Sequence, residues 1–242
     1  MKATTRWFSE RLQEHVSLAR WGTFGTPVLV FPTAGGDAEE IERMKLIYVC
    51  EELLDAGRVK LYSVDSVAGR AMVGAEGPPE YRMRLMNFFH DFVRNEVVPA
   101  IIDDCGGSPL GIIATGSSIG AFNALAMVCR YPDAFHKAIC MSGTYDVTRF
   151  YEGAPMTQDL YDASPLHFLP DLEGPQLDQL RERYVLLASG QGDYEDIGES
   201  WRAAHALGSK GVPNRVDPWG VEWEHNWPTW RAMLPQYLEE LA

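Results

Sequence analysis

A serine framed by glycines, with an apolar run before it and helical spacing after it, constrains this chain more than any other feature. Residues 111–120 read Gly-Ile-Ile-Ala-Thr-Gly-Ser-Ser-Ile-Gly, so Gly116, Ser118 and Gly120 form a G-x-S-x-G frame. Where a strand turns sharply into a helix, the apex residue is held in a strained conformation. The positions two before and two after it lie too close together for side chains. Such a turn lifts the apex hydroxyl above the end of a sheet, at the positive end of the following helix. Ser117 is excluded as the apex because its flanking positions are Thr115 and Ile119. A glycine-rich turn with a helix-capping serine has a similar local sequence. The strand expected at Pro109–Ala114 and the helix expected at Ile119–Arg130 favour the sharp elbow instead.

The rest of the chain alternates strand and helix patterns. Residues alternate at Trp7–Leu12 and Val16–Trp21, predicting a strand pair. Pro27–Phe31, Val59–Val64, His136–Met141, Tyr184–Ser189 and Asn214–Pro218 read as further strands. Helical spacing is expected at about 38–56, Ser200–Leu207 and about 228–241. Tyr81–Ile102 should be a long amphipathic helix carrying Met83, Met86, Phe89, Phe92, Val93 and Val97 on its apolar face, with Pro99 placed to bend or end it. Residues 66–80 are rich in Gly and Pro and read as a loop. This order predicts an α/β protein of one domain over residues 1–242, with a mostly parallel central sheet and helices on both faces. Residues 145–180 break the rhythm with prolines and aromatics, and predict a short insertion after the sixth strand, over the end of the sheet.

The formal net charge of −13, from 34 acidic and 21 basic residues, argues against a nucleic-acid partner, which requires clustered cations. Cys50, Cys105, Cys129 and Cys140 are scattered without a CxxC pair, and Cys129 and Cys140 lie in apolar runs, as buried inert thiols do. No apolar stretch approaches the length of a membrane span, and the first residues lack the apolar core of a signal peptide. A cytoplasmic protein with no membrane partner is expected.

The elbow resembles that of the α/β-hydrolase fold, in which the nucleophile is followed in chain order by an acid and then a histidine. A serine needs a base to take its proton and an acid to orient that base. Of the histidines after Ser118, His136 leads into a strand, His167 lies in the insertion and His205 falls within a helix. His225 stands in a loop between the last strand and the last helix, and is the candidate base. The strand Tyr184–Ser189 is followed by Gly-Gln-Gly-Asp-Tyr-Glu-Asp. Asp193 is the favoured acid there, with Glu195 and Asp196 as rivals. The developing oxyanion needs two backbone N–H groups. Ile119 should supply one, and the loop after Pro27–Phe31 the other, at Ala34 with Gly35 as its near rival.

With these residues in place, the chain resembles the putative esterase family of α/β-hydrolases, a group related to S-formylglutathione hydrolase, enterochelin esterases and bacterial mycolyltransferases. The landmarks are Val-Leu-Val-Phe-Pro-Thr-Ala-Gly-Gly, Gly-Ser-Ser-Ile-Gly-Ala, Arg-Tyr-Pro-Asp-Ala-Phe, Met-Ser-Gly-Thr-Tyr-Asp, Gly-Gln-Gly-Asp and His-Asn-Trp-Pro-x-Trp, spread over about residues 27 to 230. The resemblance implies a serine esterase with Ser118, Asp193 and His225 as triad and Ala34 and Ile119 as oxyanion amides. It implies a small-molecule ester substrate and no metal or organic cofactor. An acyltransferase using the same triad and a non-catalytic ligand-binding scaffold are the alternatives. Two positions depart from the family pattern. Ile119 stands where Phe, Met or Leu is common, and Asn226 where Asp is. Phe150, Tyr151, Tyr161, Phe168 and Trp227 are candidates to line a substrate pocket.

Overall fold

Apolar runs without a polar face become inner strands, because only a strand covered on both sides can bury every side chain. In the computed structural model, which describes residues 1–242 except 75, 108–110 and 152, five such strands are buried along nearly their whole length. They are β3 (Thr26–Phe31), β4 (Val59–Val64), β5 (Ile112–Ser117), β6 (Phe135–Met141) and β7 (Tyr184–Ser189). Strands β1 (Lys2–Ser9) and β2 (Glu14–Trp21) flank them on one side, and β8 (Asn214–Pro218) on the other. The order across the sheet is β1-β2-β4-β3-β5-β6-β7-β8. β1 and β2 pair antiparallel and β2 joins β4 antiparallel, while every other pairing is parallel. This is the mostly parallel sheet of the α/β-hydrolase fold.

Helices cover both faces. Trp230, Met233, Leu234, Tyr237 and Leu238 of α11 (Trp227–Leu241) share one core with Ile41 of α1 (Glu40–Arg43), Leu46 of α2 (Leu46–Val49) and strand residues such as Val28, Ile139 and Leu186. The opposite core holds α4 (Pro79–Phe92), α5 (Val98–Asp104), α6 (Ile119–Arg130) and α10 (Ile197–Ser209), packed on Leu29, Phe31, Ala114 and Leu187. The insertion between β6 and β7 contributes α7 (Gln158–Ala163), α8 (Pro165–Phe168) and α9 (Gly174–Leu180). They pack against α4, α6 and α10 on this second face.

Four expectations shift. The first strand begins and ends earlier than the Trp7–Leu12 alternation indicates, because Leu12 falls in the turn before Gln13, whose φ is 55°. The helical stretch at 38–56 is three short helices, α1, α2 and α3 (Glu51–Asp55), interrupted where Lys45 adopts a φ of 65°. Pro99 does not end the long helix. A wider turn at Val93–Val97 joins α4 to α5 and absorbs the missing proline N–H and the ring's steric demand. Within the 66–80 loop, Gly69–Val73 forms one wide helical turn. Pro109 and Leu110 of the expected fifth strand lie outside the described residues, as do position 75 of that loop and position 152 of the insertion. Cys129 and Cys140 are buried and unpaired, as their apolar neighbours suggest. Among the described residues, no helix is long and apolar enough to cross a membrane.

Candidate active site

Ser118 sits between β5 and α6 with φ 57° and ψ −121°, a conformation costing about 1–3 kcal/mol that persists only where its surroundings enforce it. Its N–H donates to the Met141 carbonyl at 3.0 Å, and its carbonyl accepts from the N–H groups of Ala121 at 3.1 Å and Thr144 at 3.4 Å. The glycine frame has a steric cause. A Cβ on Gly116 would stand 2.5 Å from the Gly120 carbonyl carbon, and one on Gly120 would stand 2.4 Å from the Phe31 carbonyl oxygen. Ile119 opens the helix, so its N–H has no partner within α6.

β3 lies beside β5 with Phe31 opposite Gly116, so the loop leaving β3 starts next to the elbow. Glu40, buried at the start of α1, accepts from the Thr33 N–H at 2.8 Å and the Thr33 hydroxyl at 2.6 Å. The Thr33 carbonyl is in turn occupied by the Gly36 N–H at 3.1 Å. In a trans peptide the Ala34 N–H points the other way from that carbonyl. The Gly69–Val73 turn closes on the Ala34 carbonyl, leaving no space for a Cβ at Gly69. Ala34 is therefore fixed from both sides.

His225 is half-buried in the loop before α11, and its N–H donates to the Asp193 carbonyl at 3.0 Å. Asp193 meets the histidine only through this main-chain atom; the residue itself is exposed. The carboxylate facing the imidazole belongs to Glu195, whose Oε2 is 3.6 Å from Nδ1 and whose side chain is 1% exposed. Tyr194, with φ 63°, turns the chain so that the side chain after it points inward. Asp196 accepts from the Gly198 N–H at 2.9 Å and caps α10. The geometry thus brings His225 to Glu195, and leaves Asp193 and Asp196 outside.

Glu195 is held by its neighbours. The buried indole of Trp230 donates to the Ser142 hydroxyl at 3.0 Å, which directs the hydroxyl proton onto Glu195 Oε1 at 2.5 Å. The Ser189 hydroxyl lies 3.1 Å from Oε2. Trp230 also packs edge-on against the imidazole, with ring centroids 5.2 Å apart. Ser142 follows Met141, whose carbonyl receives the Ser118 N–H, so the anchor of Glu195 and the elbow adjoin at the ends of β5 and β6. The other candidate histidines lie elsewhere. His136 is exposed on β6, His205 is exposed on α10, and His167 is on α8 in the insertion.

A model of the family described as Putative esterase matches residues 60–241. The chain belongs to that family. Ester hydrolysis by a carboxylic ester hydrolase is the activity this membership carries. No curated protein sequence matches this esterase. Solved structures are similar in fold over nearly all of it. A ferulic acid esterase aligns with a TM-score of 0.73 at 18% identity, covering 98% of this chain and 96% of that one. MPT51 of Mycobacterium tuberculosis aligns at 0.71 and 15%, covering 99% and 98%. The S-formylglutathione hydrolase of Staphylococcus aureus aligns at 0.68 and 11%, covering 99% and 95%.

The expected pocket aromatics of the esterase divide. Tyr161 and Phe168 line a separate cavity of about 280 Å³ with Arg130 and Asp171. Arg130 ends α6, whose 12 residues put that cavity roughly 18 Å from the serine end of the helix. Trp227 stacks edge-on with Trp230 at 5.0 Å, beside His225. Ser142, Ser189 and Trp230 carry no signal in a lone sequence, since each reads as an ordinary strand end or helix core position.

Proposed function

We propose that the esterase works through an acyl-enzyme on Ser118, with His225 as base and Glu195, in place of Asp193, as the acid. The observation that carries this reading is the buried Glu195 carboxylate 3.6 Å from His225 Nδ1, anchored through Ser142 beside the elbow. An acid at Nδ1 fixes the tautomer that leaves Nε2 free to accept a proton. The 3.6 Å separation exceeds a hydrogen bond, and such contacts tighten when substrate is bound.

In the first half-reaction Ser118 Oγ attacks the ester carbonyl carbon while His225 takes the hydroxyl proton. The N–H groups of Ile119 and Ala34 stabilise the oxyanion. The intermediate collapses with loss of the alcohol, which receives its proton from His225. Water then attacks the acyl-enzyme, His225 accepts its proton, and the carboxylic acid leaves as Ser118 regains its hydrogen. The substrate is a small-molecule ester, and the four unpaired cysteines fit the reducing cytoplasm.

A neutral fluorophosphonate probe tests the assignment directly. The wild-type protein is expected to be labelled, and Ser118→Ala to lose both labelling and ester hydrolysis, with kcat down about 10⁴–10⁶-fold. Ser117→Ala should retain both. Equal loss in the two variants overturns the nucleophile assignment.

A further inference from the structure

The chain is strongly acidic, and most of its arginines reach a carboxylate, as Arg20, Arg94 and Arg215 do. Arg149 is different. It is exposed on the single helical turn Thr148–Tyr151 that leaves the β6 end of the sheet, and no carboxylate pairs with it among the described residues. Its Nη2 donates to the Thr144 hydroxyl at 3.1 Å, and its guanidinium lies over the Phe150 ring, 5.1 Å from the centroid. Thr144 in turn donates its N–H to the Ser118 carbonyl. One residue therefore links the guanidinium to the nucleophile. The same turn also contacts the Gly69–Val73 turn that backs Ala34. The turn that carries Arg149 therefore adjoins both the Ser118 main chain and the segment that backs Ala34.

The turn is rigidly built. Buried Glu199 accepts from the N–H groups of Tyr145 and Asp146 at 2.8 Å each. Asp146 accepts from the Thr148 N–H at 3.1 Å and hydroxyl at 2.5 Å. Arg82, 5% exposed, donates to the Phe150 carbonyl at 3.0 Å and lies over Tyr151, 5.3 Å from its centroid. Its buried Nε has no hydrogen-bond partner among the described residues, and it too pairs with no carboxylate there. Two guanidiniums, Arg149 on the turn and Arg82 reaching it from α4, thus pack on its aromatic rings, while the Glu199 and Asp146 carboxylates are taken up by the turn's own backbone and Thr148.

We propose that Arg149 is a specificity residue that binds a carboxylate carried by the substrate, so that the esterase prefers anionic esters. The inference rests on Ser118 being the nucleophile. A guanidinium presents a planar fork of donors that matches a carboxylate, and its stacking on Phe150 leaves the fork edge available. Asp146, Glu199 and Thr148 fix the backbone that carries it, so the site needs little reordering when a ligand arrives.

Paired esters differing only in charge test the proposal. On the acyl side the pair is 4-nitrophenyl hemiglutarate and 4-nitrophenyl pentanoate. On the alcohol side it is 4-acetoxybenzoate and its methyl ester. The wild-type enzyme should favour the anionic member of at least one pair in kcat/KM, which also shows the side that meets Arg149. Arg149→Met should lower that preference about 10- to 100-fold, the loss of a charge-assisted hydrogen bond. Arg149→Lys should keep part of it, because an ammonium supplies the charge without the fork. Added salt should weaken the wild-type preference. A ratio equal in wild type and Arg149→Met for both pairs, in protein that a fluorophosphonate still labels, overturns the Arg149 assignment alone. Absence of labelling and of hydrolysis in the wild type overturns the triad reading itself.

Discussion

His90 and His225 are the same residue in opposite settings. His90 is fully buried in α4. Its Nδ1 accepts from Arg130 at 3.0 Å, so Nε2 carries the hydrogen and donates to Asn123 Oδ1 at 3.1 Å. Burial first, and the Arg130 charge second, push its pKa down to about 3. That imidazole is locked neutral and serves packing. His225 keeps a partly exposed ring and faces a carboxylate instead of a guanidinium. A carboxylate at Nδ1 orients an imidazole and leaves its Nε2 turned the other way, which is the arrangement the proposed base role calls for. The partner at Nδ1 is what separates the two histidines, a guanidinium for His90 and a carboxylate for His225.

Removing each partner breaks the comparison at a different scale. His225→Ala should lower kcat about 10⁴–10⁶-fold with little change in melting temperature, since the ring is half-exposed; retained hydrolysis would move the base elsewhere. Glu195→Gln keeps the size of the side chain but not its charge, and should cut kcat roughly 10⁴-fold. Asp193→Asn should change it less than about tenfold, because Asp193 contributes a backbone carbonyl. The opposite ranking in paired kinetics returns the acid to Asp193.

Ser142→Ala removes the hydroxyl between Trp230 and Glu195. The expected cost is roughly tenfold in kcat with KM nearly constant, the scale of one hydrogen bond to a charged group. An effect confined to KM would show that Ser142 acts on substrate and not on the acid. The smallest effect concerns stability at His90. Below about pH 6.5 the unfolded chain binds a proton that folded His90 refuses until about pH 3, so stability is lost as pH falls through that window. His90→Gln lacks the titration, and its melting-temperature deficit relative to wild type should shrink between pH 7 and 4.5. The change should be roughly 2–4 °C for each kcal/mol of linkage removed. Parallel curves would show that His90 is not a source of acid sensitivity.

The elbow was legible in the sequence because its constraint is steric and local. Gly116 and Gly120 lack side chains for reasons that three neighbouring backbones impose, and spacing alone reports them. Which carboxylate faces His225 was not legible in the same way. Three carboxylates stand within four residues, and distance from β7 suggested Asp193. The backbone reversal at Tyr194 is a tertiary effect. Gly190 and Gly192 press against the Trp223 carbonyl, drawing the two loops together so that position 195 faces inward. The fold was read well wherever strands were buried on both faces. It was read poorly at 38–56, where a left-handed Lys45 splits one apolar pattern into separate helices. Arg149 went unnoticed because a single cation says nothing until its neighbours are known.

The indole of Trp230 has a further consequence, in the order in which the chain is made. Ser118, Ser142 and Glu195 emerge from the ribosome well before α11, which brings Trp230 and covers the second core with Met233, Leu234, Tyr237 and Leu238. Until that helix docks, the Ser142 hydroxyl that holds Glu195 lacks the indole N–H that orients it, and the His225 imidazole lacks its edge-on neighbour. The helix that closes the other side of the sheet is thus also the element that completes the surroundings of Glu195 and His225.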